Sequence, residues 1–151
     1  MTPTISEALL GNFMTLMEPP PPESAGEFMA GKIGVVGMIS LLAAEEAEKG
    51  AAVRFTENRA MRTLFSEAAA GAWAPSLTAR LKELARGEDQ DLTISALDRN
   101  NAELRHVLIA LQTAVEEAPG AASLARQKRI VRLLRDGADA RRLDLPPMPA
   151  R

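Results

Sequence analysis

One hydrophobic seam constrains this chain more than any other feature. Ile94, Leu97, Asn101, Leu104, Leu108, Leu111 and Val115 follow one another at spacings of 3, 4, 3, 4, 3 and 4 residues. That alternation lays a single stripe along a helix and turns it toward neighbouring helices, the geometry of bundle packing. Asn101 is the seam's one polar member. A buried amide in such a seam costs stability and fixes register by requiring a particular partner. The remaining composition agrees with helices. Aromatic residues make up only 3% of the chain and there is no Tyr, so the core is built from Leu, Ile, Val, Met and Ala. Ala and Leu lead the helix-forming scale, whereas strands favour aromatic and β-branched side chains. The expected fold is all-α, a helical bundle of about five helices.

The punctuation of the chain sets the expected order. A first helix is predicted over residues 5–17, opened by a capping box of Thr4 and Glu7. Pro19 to Pro22 cannot continue it and favour an extended spacer. Residues 1–18 thus read as a tethered N-terminal helix, 19–23 as a Pro-rich linker, 24–142 as the bundle and 143–151 as an extended tail. Ser24 and Glu27 form a second capping box, followed by a helical pattern to about residue 70. Gly31, Gly34 and Gly37 recur on it and predict a face where another backbone comes close. Unbroken, this helix would span roughly 65 Å, so a kink or break is expected near Gly50 or before Lys32. Trp73 lies in a loop at 71–74. Pro75 opens a short helix to Arg86, which Gly87 stops. An acidic turn follows at 88–91, then a helix over 92–118, then Pro119-Gly120 and a basic helix over 121–142.

On the long helix, a stripe drawn through Val35, Ile39, Leu42, Glu46, Gly50, Val53, Glu57, Met61 and Leu64 places two carboxylates on an apolar face. Buried carboxylates must be paired, protonated or metal-bound, and Arg54, Arg59 and Arg62 are near enough in sequence to pair with them. Glu46, Glu57, Asn58, Arg62 and Asn101 are therefore the candidate lining of a polar pocket inside the bundle, suited to a small ligand or to acid–base chemistry.

Most familiar chemistries find no foothold. The chain has no cysteine, which removes disulfides, thiolate metal sites and cysteine nucleophiles. Glu103 and His106 have the Glu-x-x-His spacing of half a di-iron site. That site needs two such pairs, however, and His106 is the only histidine. It also falls opposite the Leu104–Leu108 seam. There is no nucleophile elbow, phosphate loop, zinc motif or calcium loop. No catalytic residue, metal or cofactor is assigned. The longest apolar stretch, 33–44, falls short of the roughly 20 residues a membrane span needs, and no secretory leader is apparent. The expected setting is soluble and cytoplasmic.

Charge is unevenly spread. Residues 1–50 carry net −5, residues 51–120 net −2 and residues 121–151 net +5. The last predicted helix carries Arg126, Lys128, Arg129, Arg132 and Arg135 beside an apolar face. Such a helix could contact nucleic acid or a membrane surface, but the acidic whole, with a pI near 5.5, favours docking on protein. The predicted function is non-catalytic protein binding, as an accessory subunit or chaperone-like adaptor. Leu9, Leu10, Phe13 and Leu16 of the first helix and Ile130, Val131 and Leu134 of the last are the candidate docking residues. The partner is another protein or a second copy in a homodimer. A small-ligand binder or enzyme is the alternative, and nucleic-acid binding through the basic helix comes third.

Two resemblances bear on this. Leu41-Leu-Ala-Ala-Glu-Glu46, Glu57-Asn58-Arg59 and Asn100-Asn101-Ala-Glu-Leu104 resemble a group of short, uncharacterised all-helical bacterial proteins. The same stretches are more faintly similar to the flagellar hook–filament export chaperones. Glu45-Glu46, Asn100-Asn101 and residues 121–142 stand where that family has a Glu-Glu pair, an Asn-rich helical turn and an amphipathic C-terminal helix. The resemblance implies a helical hairpin whose last helix holds a client protein.

Overall fold

Leu- and Ala-rich stretches bounded by Pro and Gly become five helices among the described residues. The computed structural model describes residues 5–17, 26–118 and 120–144. In chain order the helices are α1 (Ile5–Met17), α2 (Glu27–Ala68), α3 (Pro75–Ala85), α4 (Ile94–Glu117) and α5 (Ala121–Ala140), with no strand among the described residues. The fold is thus all-α, with α2 as its long helix. The Pro19–Pro22 spacer, both predicted capping boxes through Thr4 and Ser24, and the tail beyond Asp144 lie outside the described residues.

The chain divides into two compact units, one of residues 1–50 and 143–151, the other of residues 51–142. The predicted break at Gly50 does not occur, because α2 is a single helix of 42 residues. One glycine costs about 1 kcal/mol of helix propensity, and here it is flanked by Ala, Glu and Lys, which restore it. The missing side chain also makes room. A Cβ on Gly50 would fall 2.8 Å from the carboxyl carbon of Glu46.

In the first unit α1 packs on α2. Phe13 is buried there, and a Cβ on Gly37 would meet Phe13 Cδ2 at 3.6 Å and Leu16 Cβ at 3.5 Å. Asn12 Nδ2 donates to Ser40 Oγ at 2.7 Å, and Ser6 Oγ donates to the Ala44 carbonyl at 3.2 Å. The buried face of this half of α2 is therefore Gly37, Ser40, Leu41 and Ala44. Two expectations are corrected. The stripe through Val35, Ile39 and Leu42 points to solvent, since residues 33–44 are apolar all round and α1 chose the opposite side. Of the three spaced glycines only Gly37 meets α1, because nothing lies within 4 Å of a Cβ on Gly31 or Gly34. At Gly37 the contacts are of ordinary van der Waals length. Gly37→Ala should therefore raise the thermal midpoint, gaining about 0.5–1 kcal/mol from helix propensity. A drop in midpoint would show that the α1–α2 contact needs a bare backbone.

In the second unit the seam on α4 meets the C-terminal part of α2, α3 and α5. Leu97, Leu104, Leu108, Leu111 and Val115 are buried, while Ile94 at the helix start is exposed. From Leu104 to Val115 the seam shares one core with Met61, Leu64, Phe65 and Ala68 of α2, Leu81 of α3 and Ile130 of α5. Here the predicted α2 stripe holds at Glu57, Met61 and Leu64. Two glycines are structurally required. A Cβ on Gly71 would clash with the Trp73 indole at 2.5 Å, and Gly120 enters α5 with φ of +110°. Trp73 Nε1 donates to the Ala68 carbonyl at 2.7 Å, and the Arg126 guanidinium lies 5.2 Å from the ring centroid.

Candidate functional site

The seam's asparagine is the first link in a buried polar network. Asn101 Nδ2 donates to Asn58 Oδ1 at 2.9 Å. Asn58 Nδ2 then reaches the Leu97 carbonyl and Asp89 Oδ1, each at 3.2 Å. Asp89, in the loop between α3 and α4, is the hub. Arg62 grips it through two bonds, Nη1 to Oδ2 at 2.6 Å and Nη2 to Oδ1 at 3.0 Å, and Asn100 Nδ2 donates at 2.8 Å. The Asp89 side chain is 1% exposed. Burial alone would raise its pKa, but the bonds from Arg62, Asn100 and Asn58 outweigh burial and hold the carboxyl below its ordinary value of 3.8. A charged carboxylate with both oxygens occupied is a bracket joining α2, the loop and α4. Three of its four bonds fall on Oδ1 and the fourth ties Oδ2 to Arg62, so the charged form is the one this site holds.

Glu57 lies beside this network, not within it. Its carboxylate is clamped by Arg105 of α4, at 2.5 Å, and by Arg141 just after α5. Burial pushes its pKa up, and the two arginines more than reverse this, leaving it below its ordinary 4.5. The helix-local arginines expected to pair with it do other work. Arg62 serves Asp89, and Arg54 binds Asp98 at 2.6 Å. Glu57 forms part of the wall of an open groove of about 460 Å³ between α2 and α5, floored by Val53, Ala60, Leu64 and Leu133.

The predicted pocket therefore needs correction. Asn58, Arg62 and Asn101 do come together, but they close on Asp89. Glu57 faces the groove, and Glu46 is an exposed residue of the first unit. The sequence reading missed Asp89, Asn100, Arg105 and Arg141. Arg105 and Arg141 fall off every apolar stripe, and Asp89 sits in a run that looks like a solvated acidic turn. The one usable signal was Asn100 adjoining Asn101 at the seam.

The docking candidates separate by burial. Phe13 and Ile130 are buried within their own units and present no surface, Leu9 and Leu16 are half-buried, and Leu10 is exposed. Val131 and Leu134 stand out from α5 at 51% and 43% exposure, and Leu124, which shares their apolar face in the sequence but is outside the docking set, joins them at 54%. Leu124, Gln127, Val131, Leu134 and Ala138 are spaced 3, 4, 3 and 4, a second heptad seam facing outward. Lys128, Arg132 and Arg135 run along one edge of it.

His106 is exposed, and Glu103 accepts from Arg80 at 2.8 Å. Among the described residues no group of three or more His, Asp or Glu is placed to hold a metal ion. No described helix is long and apolar enough to cross a membrane. Comparison with known proteins finds no matching family, no similar curated protein and no similar solved structure.

Proposed function

We propose that this is a non-catalytic, cytoplasmic helical protein that works by docking an acidic amphipathic helix of another protein on the outer face of α5. The observation behind this reading is the exposed seam of Leu124, Val131 and Leu134, flanked by Lys128, Arg132 and Arg135. A folded chain gains nothing by holding three large apolar side chains at heptad spacing in water, and a helix laid along them would bury all three. The cations along the edge select a partner with carboxylates beside its own apolar stripe and steer its approach. An export-chaperone-like adaptor, with a last helix that holds a client, is the form of this role that the sequence resemblance implies.

The test is a titration followed by fluorescence anisotropy. The probe is a synthetic amphipathic peptide with Leu at the heptad positions and Glu along one flank. Binding should saturate, weaken with added salt, and fall by about tenfold or more in Val131→Asp/Leu134→Asp with helicity unchanged. Equal binding by wild type and the double variant would contradict the reading.

A further inference from the structure

The groove between α2 and α5 lies wholly within the second unit, and its charges are unevenly used. Ala60 on α2 and Gly137 and Ala140 on α5 line it, and small residues on facing helices leave space that larger ones would fill. Its floor of Val53, Leu64 and Leu133 is apolar, and its volume of about 460 Å³ falls in the range of small-molecule sites. Spread over the roughly 16 Å from Val53 to Leu64, that volume leaves a cross-section of about 30 Å², wide enough for an alkyl chain and too narrow to seat a helix about 10 Å across. Arg129 meets Glu67 and Arg141 meets Glu57, so α5 runs antiparallel to α2. The same pairs take up most of the charge along the groove, since Glu57 is held by both Arg105 and Arg141. Arg132 and Asp136 remain. Both are exposed, both line the groove, and neither forms a hydrogen bond or ion pair with any described residue. They stand one turn apart on α5, with about 6 Å between Cβ atoms.

We propose that this groove binds a single-chain amphiphile with a zwitterionic head, its anion on Arg132, its cation on Asp136 and its alkyl chain laid along Leu133 and Val53 toward Ala140. Opposite charges one turn apart match a head that carries both signs, whereas a ligand of either single sign would meet one like charge. The alkyl chain has room. By the antiparallel pairing Asp136 lies near the level of Ala60, and from Ala60 to Val53 is roughly 10 Å at 1.5 Å per residue, the length of an extended octyl chain. The inference goes beyond the α5 docking role. Arg132 borders both surfaces, but of the two Ala60 and Ala140 line only the groove, and Val131 and Leu134 only the outer seam.

Isothermal titration calorimetry on the full chain tests it, with decylphosphocholine below its micellar concentration as the probe. Wild type should give a saturable isotherm with one molecule bound per protein. Decanoate and decyltrimethylammonium have similar alkyl chains and one charge each. They should bind about fivefold more weakly, the same factor by which Arg132→Ala or Asp136→Ala should weaken the zwitterion. Ala60→Phe should abolish binding by filling the groove from α2, and Ala140→Phe should do so from α5, both with unchanged helicity. Val131→Asp/Leu134→Asp should bind as wild type does. No saturable binding by wild type would overturn the proposal. Binding indifferent to both Ala60→Phe and Ala140→Phe would overturn it by placing the amphiphile elsewhere, and a single-charge probe as tight as the zwitterion would overturn the two-charge head.

Discussion

Replacing Asp89 by alanine is expected to destabilise the second unit by about 3 kcal/mol, near the low end for removing one member of a buried ion pair. The loss falls on what is left behind. Arg62 would keep its charge with no counter-ion, and its Nε already lacks a hydrogen-bond partner among the described residues. Asn58 and Asn100 would each lose an acceptor. Arg62 retains 14% exposure, so water recovers part of the loss, which keeps the figure at the low end. Because Asp89 and Glu57 both have folded pKa values below their ordinary 3.8 and 4.5, they add stability at neutral pH. That stability is lost as pH falls below those ordinary values and through the lowered ones. Urea titrations across acid pH should show a falling limb in the wild type and a shallower one in Asp89→Ala. Equal stability of variant and wild type at neutral pH would mean that Asp89 is not the hub of the network.

Phe65→Ala should cost about 3–5 kcal/mol, while Phe55→Ala on the same helix should cost less than about 1 kcal/mol. Phe65 is fully enclosed in the core formed with α3, α4 and α5, whereas Phe55 is 39% exposed. Truncating Phe65 removes its transfer energy and leaves a cavity that packed neighbours cannot fill. Thermal or chemical denaturation of the two variants side by side reads the contrast. Similar midpoints would place the core of the second unit elsewhere on α2.

These two residues also show what the sequence could reveal. The α4 seam was legible because Asp98, Arg99, Glu103 and Arg105 set off its apolar positions in the first half of the helix, and the 3, 4 spacing carries it on to Val115. The limits of α1 were legible because prolines stop it. The face of α2 over 33–44 was not, since a segment apolar on every side leaves the choice to whatever packs first, and α1 took the Gly37–Ser40–Ala44 side. The part played by Asn101 followed from its place in the seam, whereas its partner did not. Asp89 is brought inward by a loop, and loops follow no hydrophobic period that would announce a buried carboxylate. Glu57 was correctly suspected of burial, but its arginines come from α4 and from beyond α5, at separations of 48 and 84 residues. No helical spacing rule reaches that far. The outward seam of α5 was half visible. Leu124, Ile130, Val131 and Leu134 share one broad face in the sequence, and only the packed structure shows that Ile130 turns in while the other three turn out.

The central claim is that the outer face of α5 holds a helix from another protein, and site-specific photo-crosslinking in the native cell tests it most directly. A crosslinker placed at Gln127 or at Ala138, both on the seam, should capture the same partner segment. That segment should be amphipathic with an acidic flank. A crosslinker at the exposed Ala102 of α4 should capture neither. Equal capture from all three positions, or none from Gln127 and Ala138, would contradict the account.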